Sequence, residues 1–158
     1  MTLPGTLPGA LTVLAAAANG LLAGLSLEVA LVKLPARRRI GPVEYAAFAR
    51  AADLGNGRVV YPAVAIGAAL LTWAATLVAC GGRSSARATL PLLVASLASV
   101  LHFVTTAKAA PIMLGIGREP DDAGILGKRL DAFARWHAVR AALQVLTFFV
   151  LLWALTWI

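Results

Sequence analysis

Charge is scarce in this 158-residue chain, and cysteine is all but absent. Charged residues make up 13%, where a soluble domain of this size carries about a quarter. The single cysteine, Cys80, excludes an internal disulfide and a thiolate metal cluster. Its place near the end of an apolar run suits a small interfacial residue or a cross-link between two copies, so homo-oligomerisation stays open. No basic segment precedes the first apolar run, and that run exceeds the roughly 7–15 residues of a secretory signal, so it reads as a retained helix. No internal repeat is evident and no span is clearly broken, which argues against a small transporter.

What is present is apolar. Hydrophobic residues make up 60% of the chain, and the mean hydropathy is +0.83. Residues 11–32 hold one charge, Glu28, and residues 59–80 hold none. Residues 89–107 contain only His102 as a titratable group, and residues 138–158 only Arg140. About 20 apolar residues of helix cross a bilayer core. The expected fold is therefore all-α, a transmembrane four-helix bundle forming a single integral membrane domain, with spans at about 10–33, 59–80, 89–110 and 131–157.

The net charge of +7 is distributed unevenly. Counted to the span ends, the side holding the loops 33–58 and 108–137 carries twelve Lys and Arg, against Arg83 and Arg87 on the other. All seven acidic residues belong to that same side. Basic residues flanking apolar spans mark cytoplasmic loops rather than a nucleic-acid surface. The expectation is a cell-membrane protein, in a bacterial inner membrane, with both termini outside and both large loops cytoplasmic. Its partners would be the lipid bilayer and a lipophilic small molecule, and no nucleic acid.

The polar loops carry local signals. Pro4-Gly5 and Pro8-Gly9 make residues 1–9 a turn-rich lead-in, and residues 81–85 form a tight outer turn. Span one should end near Lys33 and Leu34, because Pro35 disfavours helical geometry in the residue before it. In the first cytoplasmic loop, Gly41-Pro42 opens a short interfacial helix over residues 43–54. Val43, Ala47, Ala51 and Leu54 recur at helical spacing opposite Glu44 and Arg50. Pro62 suits the start of helix two. The loop 111–128 is rich in Gly and Pro and its conformation stays open, with the fourth helix starting as early as Asp121 or Asp122. Trp153 and Trp157 suit the outer interface, and Trp136 and Tyr61 the inner one. Gly20 and Gly24 form a small-xxx-small face for close helix approach.

The functional signal lies in groups that lipid disfavours. Glu28, His102, His137 and Arg140 all lie within or beside apolar spans, where ionisable residues usually face a cavity or one another. At helical rise, Glu28 lies about 8 Å, His102 about 13 Å and His137 about 9–13 Å from the cytoplasmic ends of their helices. Three helices thus place these groups at similar depth. Ser99, His102 and Thr106 share one helix face, and His137, Arg140 and Gln144 share another. Asn56, Arg58 and Tyr61 fall near the cytoplasmic entrance. Lys108 is within reach through its flexible stem, and Trp136 precedes His137.

Several chemistries fit these residues. Glu28, His102 and His137 can bind non-haem iron or copper as two imidazoles and a carboxylate. The two histidines can ligate haem iron axially. Without any cofactor, a histidine can take a proton from an acidic aromatic substrate while Arg140 or Lys108 stabilises the anion. A purely structural arrangement pairs Glu28 with Arg140 or Lys108 and lets the histidines bond across helices. The sequence leaves these alternatives open.

The segment Phe133, Ala134, Arg135, Trp136, His137, Ala138, Val139, Arg140 resembles the last-helix signature of the anthrone oxygenase-like membrane proteins. In bacterial members, Trp-His-x-x-Arg follows an aromatic residue three positions before the Trp. Ala110-Pro111-Ile112-Met113 is similar to the family's Pro-Ile-Asn element, with Met113 in place of the asparagine. Gly20-x-x-x-Gly24, Leu34-Pro35, Gly41-Pro42 and Pro62 extend the resemblance over almost the whole chain. It implies a four-helix membrane bundle and oxidation of an anthrone to an anthraquinone by dioxygen, without an established organic cofactor.

Two expectations follow. The first is a membrane oxygenase or oxidase acting on a lipophilic phenolic or polycyclic aromatic compound. Its catalytic candidates are His137, Arg140, His102 and Glu28, and its binding candidates Asn56, Tyr61, Thr106, Lys108, Trp136 and Gln144. The second is a non-enzymatic bundle that holds a lipid, quinone, haem or metal, or serves as a small partner subunit.

Overall fold

A chain this apolar must satisfy its backbone N–H and C=O groups internally, and in lipid a helix does so within one segment. The computed structural model describes residues 7–82 and 85–158, and among them there is helix and no strand. The lead-in turn at Pro4-Gly5, and Arg83 and Ser84 of the outer turn, lie outside the described residues. Helix α1 (Leu7–Glu28) passes through a π-helical turn (Val29–Lys33) into α2 (Leu34–Ile40). Then come α3 (Pro42–Ala51), a second π-helical segment (Ala52–Asn56), α4 (Gly57–Gly81), α5 (Ala86–Ile116) and α6 (Ala123–Leu155). Four long helical stretches result: Leu7–Ile40, Pro42–Gly81 (kinked at Gly55), Ala86–Ile116 and Ala123–Leu155, each long and apolar enough to cross a bilayer. α1 packs against α4 and α6, and α5 packs against the same two, which closes a four-helix ring. The chain is an integral membrane four-helix bundle.

The helices run further than the apolar runs. The first stretch does not stop at Lys33. Leu34 N–H bonds back to Val29 O, a wider π turn that admits Pro35 and carries the helix on to Ile40. α5 likewise continues through Pro111 to Ile116. The fourth helix begins early, with Asp122 as its cap: Asp122 Oδ1 accepts from Ile125 N–H at 2.8 Å. Between α2 and α3, Gly41 adopts φ +92°, a backbone region that favours glycine.

Two cores divide the bundle. At the end remote from the basic loops, small residues pack closely: Ala15, Ala16, Ala75, Ala79, Ala95 and Ala154 around Leu92 and Leu151. At the basic end the core is built from Tyr45, Ile116, Leu126, Leu130 and Phe133, and α3 closes over it. The short helix sits there, but rotated from its expected orientation. It buries Tyr45, Ala46 and Ala49 and packs Val43 and Leu54 against the same core, but leaves Ala47 and Ala51 exposed. Arg50 is not a free surface charge either. It donates to Ile116 O and Glu119 O and pairs with Asp121 at 2.6 Å, satisfying the open carbonyls at the end of α5. Arg129–Glu119 and Arg37–Asp131 pairs complete this polar cap.

The small-xxx-small face divides too. A Cβ on Gly20 would meet Phe148 Cε2 at 2.9 Å, so the Phe148 ring of α6 would have to shift to admit one. Gly24 has nothing within 4 Å of that position and is exposed.

Candidate functional site

Beneath the basic-end core, the four long helices leave a cavity of about 420 Å³. Its walls are largely apolar, with Leu22, Val29, Ile66, Phe103 and Met113 among them. Into it converge Asp53, Tyr61, His102, Thr106, His137, Arg140 and Gln144, with Arg58 exposed at the rim. Small-molecule sites occupy roughly 300–1,000 Å³ and combine such apolar walls with a few fixed polar groups.

One chain of hydrogen bonds crosses the site. His137, Arg140 and Gln144 lie at i, i+3 and i+7 on α6 and so share its inner face. Arg140 Nη2 donates to His137 Nδ1 at 2.5 Å. A guanidinium only donates, so Nδ1 carries the lone pair and Nε2 the proton. Nε2 donates that proton to Ser26 O on α1 at 3.0 Å. Phe133, one turn earlier, stacks on the imidazole with centroids 5.4 Å apart. His137 is thereby fully engaged as a neutral ring. It holds Arg140 in place without cancelling its charge.

Other groups in the cavity have nothing to bond. Arg140 Nε and Gln144 Oε1 are buried without a hydrogen-bond partner. Among the described residues Arg140 has no carboxylate within 4.0 Å. The imidazole of His102 makes no hydrogen bond among the described residues; only its backbone carbonyl is used, by Thr105 and Thr106. Unsatisfied polar groups in a low-dielectric interior are costly, and each calls for a ligand or water. Asp53 is the single carboxylate among the lining residues, against two guanidiniums, Arg58 and Arg140.

The structure sorts the sequence candidates. His102, His137, Arg140, Tyr61, Thr106 and Gln144 all line the one cavity. Glu28 does not. It lies at the end of α1, is exposed, and pairs with Lys33 at 3.1 Å rather than with Arg140 or Lys108. Asn56, Lys108 and Trp136 are also exposed and outside the lining, because each sits on the outward side of its helix or turn.

The acid that does reach the cavity is Asp53, which the sequence reading passed over. The π-helical segment Ala52–Asn56, broken at Gly55 (φ −83°, ψ −118°), carries it there, and Tyr61 OH donates to its Oδ1 at 3.3 Å. The available signal was a lone Asp next to Leu54-Gly55, eight residues before a tyrosine. A regular helical reading of residues 43–54 hid it.

The metal and haem alternatives do not fit these side chains. Among the described residues no three His, Cys, Asp or Glu side chains gather as metal ligands would, so Glu28, His102 and His137 do not form a triad. Axial ligation of haem by both histidines would require His137 to give up Ser26 or Arg140.

No family model, curated protein or solved structure matches the chain.

Proposed function

We propose that the chain is a small membrane oxygenase that oxidises a lipophilic phenolic or polycyclic aromatic compound, of the anthrone type, within this cavity. One observation carries the reading. Among the described residues, a guanidinium with no carboxylate within 4.0 Å, an amide oxygen without a partner and an imidazole that makes no hydrogen bond line the same largely apolar cavity. An enolate or phenolate oxygen would accept from Arg140 Nε. A neighbouring hydroxyl would donate to Gln144 Oε1. The flat apolar body would lie against Phe103, Ile66 and Met113. The resemblance of the Trp136-His137-x-x-Arg140 segment to the anthrone oxygenase-like proteins supports the same substrate class.

The chemistry needs no group beyond these residues and dioxygen. His102 removes a proton from the acidic methylene, and Arg140 stabilises the resulting enolate oxygen. Dioxygen adds to the ring carbon, and the peroxide takes the proton back from His102. Loss of water then leaves the carbonyl, so CH2 and O2 become C=O and H2O. His137 is a positioning residue that keeps the guanidinium fixed and charged. The excess of basic residues at this end of the bundle supports a cytoplasmic position for it and for both large loops. The cavity then lies toward the inner leaflet, where an apolar substrate dissolves.

The test uses purified protein in nanodiscs, with a hydroxyanthrone as the probe. The expected result is oxygen uptake matched one to one by quinone absorbance, lowered about 100-fold or more in His102→Ala. Saturable binding of the hydroxyanthrone without oxygen uptake would leave a non-enzymatic carrier in place of the oxygenase.

A further inference from the structure

A second cavity, of about 150 Å³, lies outside the site just described, in the groove between the first helical stretch and α6. Its walls are two facing stripes. Ala30, Leu34, Arg37 and Arg38 come from the turn of π helix and α2, and Ala134 and Ala138 from α6. The alanines are what leave the groove open, since longer side chains there would close it. Arg37 is held from one side by its ion pair with Asp131, through Nη2. Its other terminal nitrogen, Nη1, is buried and has no partner. Arg38 is exposed and forms no ion pair among the described residues.

Position decides what such a groove can hold. Leu31, Val32 and Val139 beside it are large, exposed and apolar, the surface that acyl chains cover. Arg37, Arg38 and Arg39 follow directly, and basic residues at the end of an apolar span lie among lipid headgroups. Asp131 is already neutralised by Arg37, so Arg38 leaves the groove with a net positive charge. An occupant must therefore offer an anionic oxygen to Arg37 Nη1 and Arg38 while continuing as hydrocarbon along the helices. We infer that this groove binds the phosphate of an anionic glycerophospholipid, with Arg37 and Arg38 as its ligands and the alanine stripe as the seat of its glycerol and upper acyl chain. Basic pockets between transmembrane helices recognise headgroups in this way. The inference is independent of the oxygenase reading.

Native mass spectrometry of protein released from mixed phosphatidylglycerol and phosphatidylcholine micelles reads it. The wild-type chain should retain phosphatidylglycerol in preference. Arg38→Gln should lower that retention about fivefold, the worth of one basic residue at a membrane surface. Ala138→Phe, which changes no charge and starts from an exposed position, should abolish the preference by filling the groove. Arg118→Gln, an exposed cation outside the lining of the groove, should leave it unchanged. Retention by Ala138→Phe equal to wild type would assign the lipid to diffuse surface attraction and overturn the site. Displacement of the lipid by millimolar inorganic phosphate would overturn it as well, by assigning the groove to free phosphate.

Discussion

Asn19 and Gln144 are both amides buried to 3% exposure inside the bundle, yet they are treated in opposite ways. Asn19, in the half remote from the basic loops, donates through Nδ2 to Thr72 Oγ1 at 2.9 Å and to Ala15 O at 2.8 Å. Thr72 donates its own hydroxyl to Ala68 O, and Thr76 bridges to Ser96 and Leu92 O on α5. Gln144, in the basic half, makes no such bond and lines a cavity. Packing follows the same division. The remote half is closed by alanines, and the basic half is propped open by large side chains above a polar chamber. Polarity within a span therefore does not mark function by itself. What marks it is polarity that the protein declines to satisfy.

The comparison can be broken most forcefully at Arg140. Arg140→Ala should lower hydroxyanthrone turnover by about 100-fold or more, since it removes the group that would stabilise the anion. Its circular dichroism and elution in detergent should match wild type. A variant that fails to insert would instead make Arg140 a structural residue, on the same footing as Asn19. His137→Glu is the sharper test. It supplies Arg140 with a resident carboxylate, so hydroxyanthrone binding should weaken about tenfold or more. Thermal stability in detergent should hold or rise. If the reverse occurred, with binding kept and stability lost, the uncompensated charge would not be what recruits the ligand.

In the remote half the expected effects are on stability alone. Gly20→Leu should cost about 1–3 kcal/mol in mixed-micelle unfolding, because the new side chain meets Phe148. Gly24→Leu, at the level of the cavity but on the exposed side of α1, should stay within about 0.5 kcal/mol. The smallest effect is the coupling between Asn19 and Thr72. A double-mutant cycle with Asn19→Ala and Thr72→Ala should return about 0.6 kcal/mol, the usual worth of a hydrogen bond between membrane helices. Turnover should be untouched. Loss of activity in either alanine variant would extend the functional chamber into the half assigned here to packing.

The sequence by itself determined the class of the molecule. Long apolar runs bounded by charge leave a chain in lipid no alternative to helices, and four such runs in one chain give a bundle. It also determined two stripes of the chamber, because His102 with Thr106, and His137 with Arg140 and Gln144, are fixed relative to one another by helical spacing alone. Only the tertiary structure decided which other elements face those stripes. Glu28 looked equally suited by depth, but α1 presents it outward to Lys33, while a π-helical segment delivers Asp53. The reason is physical. In lipid the outer and inner faces of a helix are both apolar, so the pattern that sets a helix's rotation in water is nearly erased, and packing fixes it instead.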